Sequence, residues 1–107
     1  MNFEEFFVPA DEAHVRREKA KAREMRNSQW WKNQRASNPC HYCGAKPHPS
    51  ELTMDHVVPI IRGGRTTRGN VVVCCKPCND KKKYLLPTEW IEYLDSLGGE
   101  NPSKSQA

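Results

Sequence analysis

Hydrophobic and polar positions follow different patterns along the chain, and each pattern predicts a type of element. Residues 10–27 are rich in helix formers, lack Gly, and carry few apolar side chains. They predict a helix that is largely exposed or docked on a partner. Trp30 and Trp31 follow it, and we expect these two rings to anchor the helical arm on the core.

The apolar, β-branched stretches 52–59 and 70–74 predict two strands. Between them, residues 62–69 form a polar, glycine-containing loop, which predicts an antiparallel hairpin with a loop longer than a tight turn. Residues 75–86 are expected to form a turn that leads into a short helix. Pro77 would lie near the first turn of that helix, where a missing N–H costs nothing.

Pro87 is expected to end this short helix, and residues 88–99 predict another one. Thr88 is a suitable N-cap for it and Gly98 a suitable residue just past its end. Residues 100–107 are expected to be a disordered tail. Four apolar residues of the last helix share one face, which predicts packing against the core: Trp90, Ile91, Leu94 and Leu97.

The composition indicates one small domain with little apolar material. Of 107 residues, 36% are hydrophobic and 28% are charged, so the core must be small and a metal or disulfide staple is expected. No apolar run approaches the roughly 20 residues of a membrane span. The first residues, MNFEEFF, do not form the basic-then-apolar pattern of a signal peptide. We therefore expect a cytoplasmic protein, not associated with a membrane, whose thiols stay reduced.

The five cysteines include two Cys-x-x-Cys pairs, Cys40/Cys43 and Cys75/Cys78. Two such turns can complete a tetrahedral four-sulfur zinc site in which the protein fills every position, and a closed site of this kind is structural. A redox pair is the alternative, but two pairs that flank a hairpin fit it poorly. Cys74 is left over and is expected to be a small buried hydrophobe.

Charge is distributed unevenly around a formal net charge of +4. Residues 14–37 carry +6 and residues 38–87 carry +5, whereas both ends of the chain are acidic. This asymmetry suggests a polyanionic partner, with nucleic acid the first candidate. A well-solvated surface is the alternative interpretation.

Asp55 and His56 form an adjacent polar pair inside the first predicted strand. Neighbouring side chains on a strand point to opposite faces, so they could share a metal only if the strand bends or the metal lies beside it. Taken alone, the pair could be a solvent-facing acid and a structural histidine. Asn70, Asn79 and Lys82 lie on the same hairpin-plus-helix unit, and the last two share a helix face.

In this order the motifs resemble the HNH endonucleases, specifically a subgroup stabilised by zinc through four cysteines. The resemblance covers residues 40–83, and WWKNQR at 30–35 is similar to the stretch that often precedes the first cysteine pair. It implies an α+β fold: a small ββα-metal domain with a structural zinc site and flanking helices. The matching motifs are CHYC, DHVVP, the GG loop, GNVVV and CKPCNDKK.

The element pattern and the resemblance together predict three regions. Residues 1–37 would be a basic helical arm, residues 38–99 the nuclease domain with a C-terminal packing helix, and residues 100–107 the tail. The expected function is hydrolysis of DNA phosphodiester bonds, by nicking or by double-strand cutting. Two alternatives stay open: a non-catalytic zinc module that binds nucleic acid, and a subunit of a phage packaging or restriction assembly.

The resemblance assigns roles to the matching residues. His56 would be the general base, and Asp55 and Asn79 would hold one divalent cation, Mg²⁺ or Mn²⁺. Asn70 would brace the hairpin loop and position His56, and Lys82 would contact phosphate. Many family members have His where this chain has Asn79, and an amide oxygen suits a hard cation such as Mg²⁺.

Basic residues around this unit would then meet DNA backbone phosphates, which gives salt-dependent and largely sequence-independent affinity. For the lysine run, a solvated helix face is the alternative. The expected partner is double-stranded DNA, and the protein would act as a monomer or weak homodimer in a bacterial or phage-infected cell. The expected phosphate contacts are Arg62, Arg65, Arg68, Lys81 and Lys83.

Overall fold

A two-stranded antiparallel hairpin followed directly by a helix forms the centre of the protein. The structure, a computed structural model, describes residues 10–97. Strand β1 (Leu52–His56) pairs with β2 (Val71–Cys75), with Leu52 opposite Cys75 and His56 opposite Val71. A helix, Lys76–Lys82, begins as soon as β2 ends.

Strand β1 ends three residues earlier than the sequence predicts. After His56, the N–H of Val57 donates to the Asn70 carbonyl, and the N–H of Val58 donates to the Asn70 side chain at 2.9 Å. Pro59 then has no N–H to offer a ladder. Strand β2 covers residues 71–75 instead of the predicted 70–74. Asn70 lies just before it and binds the N–H groups of Val57 and Val58.

Three further helices surround this unit in the described part of the chain, so we number all four in chain order. Helix α1 is Glu12–Arg26, α2 is Gln29–Ser37, α3 is the helix Lys76–Lys82, and α4 is Pro87–Ser96. Single 3₁₀ turns occur at Pro49–Glu51 and Ile60–Arg62. The α+β class expected from the sequence is confirmed, and none of the described helices combines the length and apolarity needed to cross a membrane.

Helix α2 was not predicted, although its two tryptophans were expected to anchor the arm on the core. Ser28 caps it, accepting the N–H of Trp31 at 3.2 Å. Trp31 is buried in the small core beside cysteines and strand residues, which confirms that it anchors the arm, whereas Trp30 is only partly buried. Cys74 is buried as expected. The core cluster comprises Trp31, Cys40, Leu52, Val73, Cys74 and Cys75.

Helix α1 is largely exposed, as the sequence predicts, and its one buried side docks on its own chain. Glu18 and Ala22 are buried, and Glu18 Oε1 accepts the N–H of Thr66 in the hairpin loop at 2.7 Å. His14 Nε2 lies 2.9 Å from the Gly64 carbonyl oxygen. These contacts are mostly polar, and a search for apolar periodicity therefore could not find them.

Gly64 allows the hairpin loop to fold tightly. A Cβ added there would lie 1.7 Å from the Val58 carbonyl oxygen. The Gly64 N–H meanwhile donates to the Pro59 carbonyl at 2.9 Å. The glycine thus brings two segments of the loop into direct backbone contact.

Helix α4 begins one residue earlier than predicted, at Pro87, with Leu86 in the N-cap position. The prediction of Thr88 as N-cap is therefore wrong. Glu89 supplies the missing acceptor, because its Oε1 takes the Leu86 N–H at 2.8 Å. The predicted end of this helix, Gly98, lies outside the described residues.

The predicted packing face of α4 is only partly correct. Trp90 is buried and packs edge-on against Tyr42, with ring centroids 5.7 Å apart. Ile91 and Leu97, in contrast, are 52% and 62% exposed. The division into residues 1–37, 38–99 and 100–107 stays a prediction.

Candidate active site and metal cluster

A cleft of about 240 Å³ lies between α1, β1 and α3. Asp55 and His56 reach it from the end of β1, and Asn79 reaches it from α3. The structure thus brings three of the predicted site residues together at one surface. Two residues of α1 that the sequence did not single out also line it, Val15 and Lys19.

Asp55 is held through one of its two carboxylate oxygens. Its Oδ2 accepts the phenol proton of Tyr42 and lies 3.3 Å from the ammonium of Lys82. Burial, together with the bond to Asp55, raises the pKa of Tyr42, so the phenol stays protonated. Asp55 Oδ1 has no hydrogen-bond partner within residues 10–97. Because every fully buried side-chain oxygen in this range has a partner, Oδ1 must be partly accessible, and Asp55 lines the cleft.

Lys82 occupies the space beneath the cleft instead of lining it. The side chain is fully buried, and its Nζ also lies 3.3 Å from the carbonyl oxygens of His56 and Val57. The prediction that Lys82 contacts phosphate is wrong for this geometry. In a run of three lysines, no sequence pattern indicates that the middle one faces inward.

Asn79 offers a second oxygen to the cleft. Its Nδ2 donates to Thr53 Oγ1 at 3.1 Å, which orients the amide and leaves Oδ1 as an acceptor. A carboxylate oxygen from Asp55 and an amide oxygen from Asn79 are the ligands that hard divalent cations prefer. The donor set therefore fits Mg²⁺ or Mn²⁺.

His56 is half-buried and is held at one ring nitrogen. Its Nε2 lies 2.9 Å from Thr66 Oγ1, a contact that sequence reasoning missed. Burial lowers the pKa of His56, with Asp55 opposing the shift and Arg26 reinforcing it. The imidazole is therefore favoured in its neutral form near pH 7.

Asn70 joins two parts of the hairpin loop. Its side chain accepts the Val58 N–H at 2.9 Å and donates to the carbonyl oxygens of Val58 and Arg65, at 3.0 and 2.8 Å. These bonds fix the loop that follows His56. A bracing role for Asn70 is consistent with this geometry.

The predicted phosphate contacts fall into two groups. Arg62 is only 14% exposed in its side chain and pairs with Glu89 at 2.9 Å, so it ties the loop to α4. Arg68 lies over the Trp30 ring, 5.0 Å from its centroid. The remaining predicted contacts are exposed cations: Arg65, Lys81 and Lys83. Lys83 also lines the cleft, and its backbone has a positive φ of 46°.

The four cysteines of the two pairs converge on one point. Their Sγ atoms all lie within 4.8 Å of one another, and the Sγ atoms of Cys43 and Cys75 are 3.7 Å apart. A tetrahedral zinc ion with Zn–S bonds of about 2.3 Å needs sulfurs about 3.8 Å apart. The cluster can therefore hold zinc, and Cys74 is not part of it.

The thiols of this cluster are not equivalent. Burial raises the pKa of Cys40, but backbone hydrogen bonds from Cys75, Cys43 and Tyr42 outweigh it and bring that pKa to about 7. Burial dominates at Cys75 and Cys78 and raises both pKa values. Zinc binding would require these thiols to lose their protons, so it should be accompanied by proton release.

The family model described as HNH endonuclease matches residues 40–95, just over half of the chain. The chain belongs to the HNH endonuclease family. No curated protein matches it. Membership supports a nuclease-type function and metal binding, and the matched segment contains the hairpin, α3 and all four clustered cysteines. Helices α1 and α2 lie outside the matched segment.

We predict one tightly bound zinc ion per chain at the cysteine cluster. Cys40→Ser should abolish zinc binding and strongly destabilise the domain, because metal binding supplies folding free energy to so small a core. Cys74→Ser, at a buried cysteine outside the cluster, should retain its zinc. Elemental analysis and circular dichroism of both variants test this, and native protein without zinc would contradict it.

We predict that Lys82 stabilises the fold through its buried contacts. Lys82→Met should lower the free energy of unfolding by about 3–5 kcal/mol, because it leaves the Asp55 carboxylate buried without its countercharge. Lys81→Met, at the exposed neighbouring position, is the matched control and should change it by about 0.5 kcal/mol or less. Urea unfolding of the zinc-loaded protein measures both, and equal stabilities would refute the structural role.

Proposed function

We propose that this protein is a metal-dependent endonuclease that hydrolyses phosphodiester bonds of double-stranded DNA. The observation that carries the proposal is the shared cleft, where His56 lies beside the oxygen donors Asp55 and Asn79 within an HNH-family hairpin and helix. Neither a zinc module that only binds nucleic acid nor an assembly subunit needs this combination.

His56 would act as the general base. Its neutral imidazole would take a proton from the attacking water at Nδ1, the ring nitrogen that does not contact Thr66. Asp55 and Asn79 would hold the divalent cation, which when bound would neutralise negative charge on the phosphate. Lys82 would keep Asp55 in place from below, and Asn70 would hold the loop beyond His56.

Helix α1 contributes a row of exposed cations beside the cleft. Lys19 lines the cleft itself, and the others follow at intervals of three or four residues, so they share one side of the helix. Glu12, in the first turn, is the acid on that side. On the opposite side, Arg17 and Lys21 pair with Glu18 instead. The row comprises Arg16, Lys19, Arg23 and Arg26.

This row would follow one DNA backbone, together with the exposed cations Arg65, Lys81 and Lys83. Lys19 and Lys83 would contact phosphate nearest the reacting bond, in place of the buried Lys82. The protein would act as a monomer or weak homodimer. The site of action would be the cytoplasm of a bacterial or phage-infected cell.

We predict that His56→Ala lowers the cleavage rate of supercoiled plasmid by about 10²–10⁴-fold while DNA affinity and zinc content stay near normal. Asp55→Ala and Asn79→Ala should instead weaken the cation site, so excess Mg²⁺ or Mn²⁺ should partly restore their activity. Excess metal should not rescue His56→Ala, because a cation cannot accept the proton. Imidazole added to the reaction should restore part of its rate.

Plasmid nicking assays with zinc-loaded proteins of equal fold content measure these effects. If His56→Ala cuts plasmid at the wild-type rate, the nuclease mechanism is wrong. If the wild-type protein binds DNA and does not cut it with any of the three cations Mg²⁺, Mn²⁺ and Zn²⁺, the binding-module alternative replaces it.

We predict that Lys19 and Lys83 account for part of the salt dependence of DNA binding. The double variant Lys19→Ala/Lys83→Ala should reduce the slope of log K against log salt by about two, because each phosphate contact contributes about 0.9. Lys46→Ala/Lys76→Ala removes the same charge at exposed positions away from the cleft and is the matched control. Equal slopes in the two double variants would place the DNA elsewhere.

A further inference from the structure

Thr66 connects α1 to the catalytic cleft through three hydrogen bonds. Its backbone N–H donates to Glu18 Oε1 at 2.7 Å, and its hydroxyl donates to the Glu18 carbonyl oxygen at 2.8 Å. The same hydroxyl oxygen lies 2.9 Å from His56 Nε2. Thr66 is 7% exposed and Glu18 1%, so water competes little for these groups.

The proton count at Thr66 fixes the direction of its bond to His56. A hydroxyl has one proton, and a carbonyl oxygen can only accept, so that proton belongs to the contact with Glu18. Without it, two oxygens would face each other at 2.8 Å. The hydroxyl must therefore accept from His56, whose Nε2 carries the N–H.

A neutral imidazole has only one N–H, so Nδ1 of His56 is then unprotonated. Within residues 10–97, Nδ1 has no hydrogen-bond partner, and His56 lines the cleft. The nitrogen that must accept a proton in catalysis is thus the one that remains available.

Glu18 is itself held firmly. Its carboxylate lies 3.1 Å from Lys21 Nζ and 3.7 Å from Arg17 Nε. A second link between the same helix and the same loop joins His14 Nε2 to the Gly64 carbonyl. Helix α1 and the loop that carries Thr66 are therefore joined at two places beside the base.

We propose that Thr66, held by Glu18 of α1, is a positioning residue that keeps His56 in the Nε2–H tautomer and presents Nδ1 to the cleft. The inference rests on the proposed function in taking His56 as the base. Helix α1 lies outside the family-matched segment 40–95, so a residue beyond that segment would help to orient the ring of a residue within it.

The first test compares Thr66→Val, which keeps the shape and removes the hydroxyl, with Thr66→Ser, which keeps the hydroxyl. Thr66→Val should lower kcat for oligonucleotide cleavage by about 10–100-fold, the usual effect of losing a partner that orients a catalytic side chain, with little change in KM. Thr66→Ser should recover most of that loss. Equal losses in both variants, in proportion to lowered stability, would overturn the proposal.

The second test reads the tautomer directly and does not depend on activity. In the ¹⁵N-labelled, zinc-loaded full chain, the ¹⁵N shifts of the His56 ring above its pKa should identify Nε2 as the protonated nitrogen. Its proton should exchange slowly with water in the wild type and in Thr66→Ser, and rapidly in Thr66→Val. A wild-type His56 protonated at Nδ1 would overturn the proposal even if Thr66→Val failed to fold.

The two tests separate this inference from the proposed function. If the wild type shows the Nε2–H tautomer and does not cleave DNA, the nuclease proposal fails and the positioning of His56 stands. If the wild type cleaves DNA and Thr66→Val cleaves it at the same rate, the positioning role fails and the nuclease proposal stands.

Discussion

The ammonium of Lys82 joins α3 to β1, two of the three elements that form the cleft. It lies 3.3 Å from a carboxylate oxygen of Asp55 and from two backbone carbonyl oxygens at the end of β1, and it is fully buried. A buried cation is costly unless its partners surround it, so α3 can occupy only a narrow range of positions against the strand. The side chains of Asp55, His56 and Asn79 then have one relative arrangement, set from beneath the cleft.

This polar arrangement is needed because the apolar core is so small. The core cluster contains one tryptophan, two aliphatic strand residues and three cysteines, and two of those cysteines belong to the four-sulfur cluster. A metal held there would join the turn before β1 to the start of α3, at the opposite end of the hairpin from its loop. Stability and cleft geometry thus depend on polar and metal-binding groups more than on buried area.

The parts of the fold that could be predicted are those with local signals. The two Cys-x-x-Cys turns, the β-branched strands and Asp55-His56 carry such signals, and the structure groups them as expected. The buried position of Lys82 could not be predicted, because an inward-facing and an outward-facing lysine look alike in a run of three lysines. Glu18 and Thr66 are 48 residues apart, and nothing in either neighbourhood indicates their contact. Polar side chains that bind distant backbone leave no periodicity to find.

The bond between Thr66 and the Glu18 carbonyl bears on whether the family-matched segment could be used without helix α1. Residues 40–95 contain the oxygen donors, the histidine and the cysteines. By sequence alone, this segment looks like a complete catalytic unit that could be fused to another targeting domain. Excised from α1, Thr66 would regain a free hydroxyl proton and could donate it to His56 Nε2. The histidine would then carry its own proton on Nδ1. The excised segment would keep every residue of the motif, but the ring nitrogen facing the cleft would no longer be able to accept a proton.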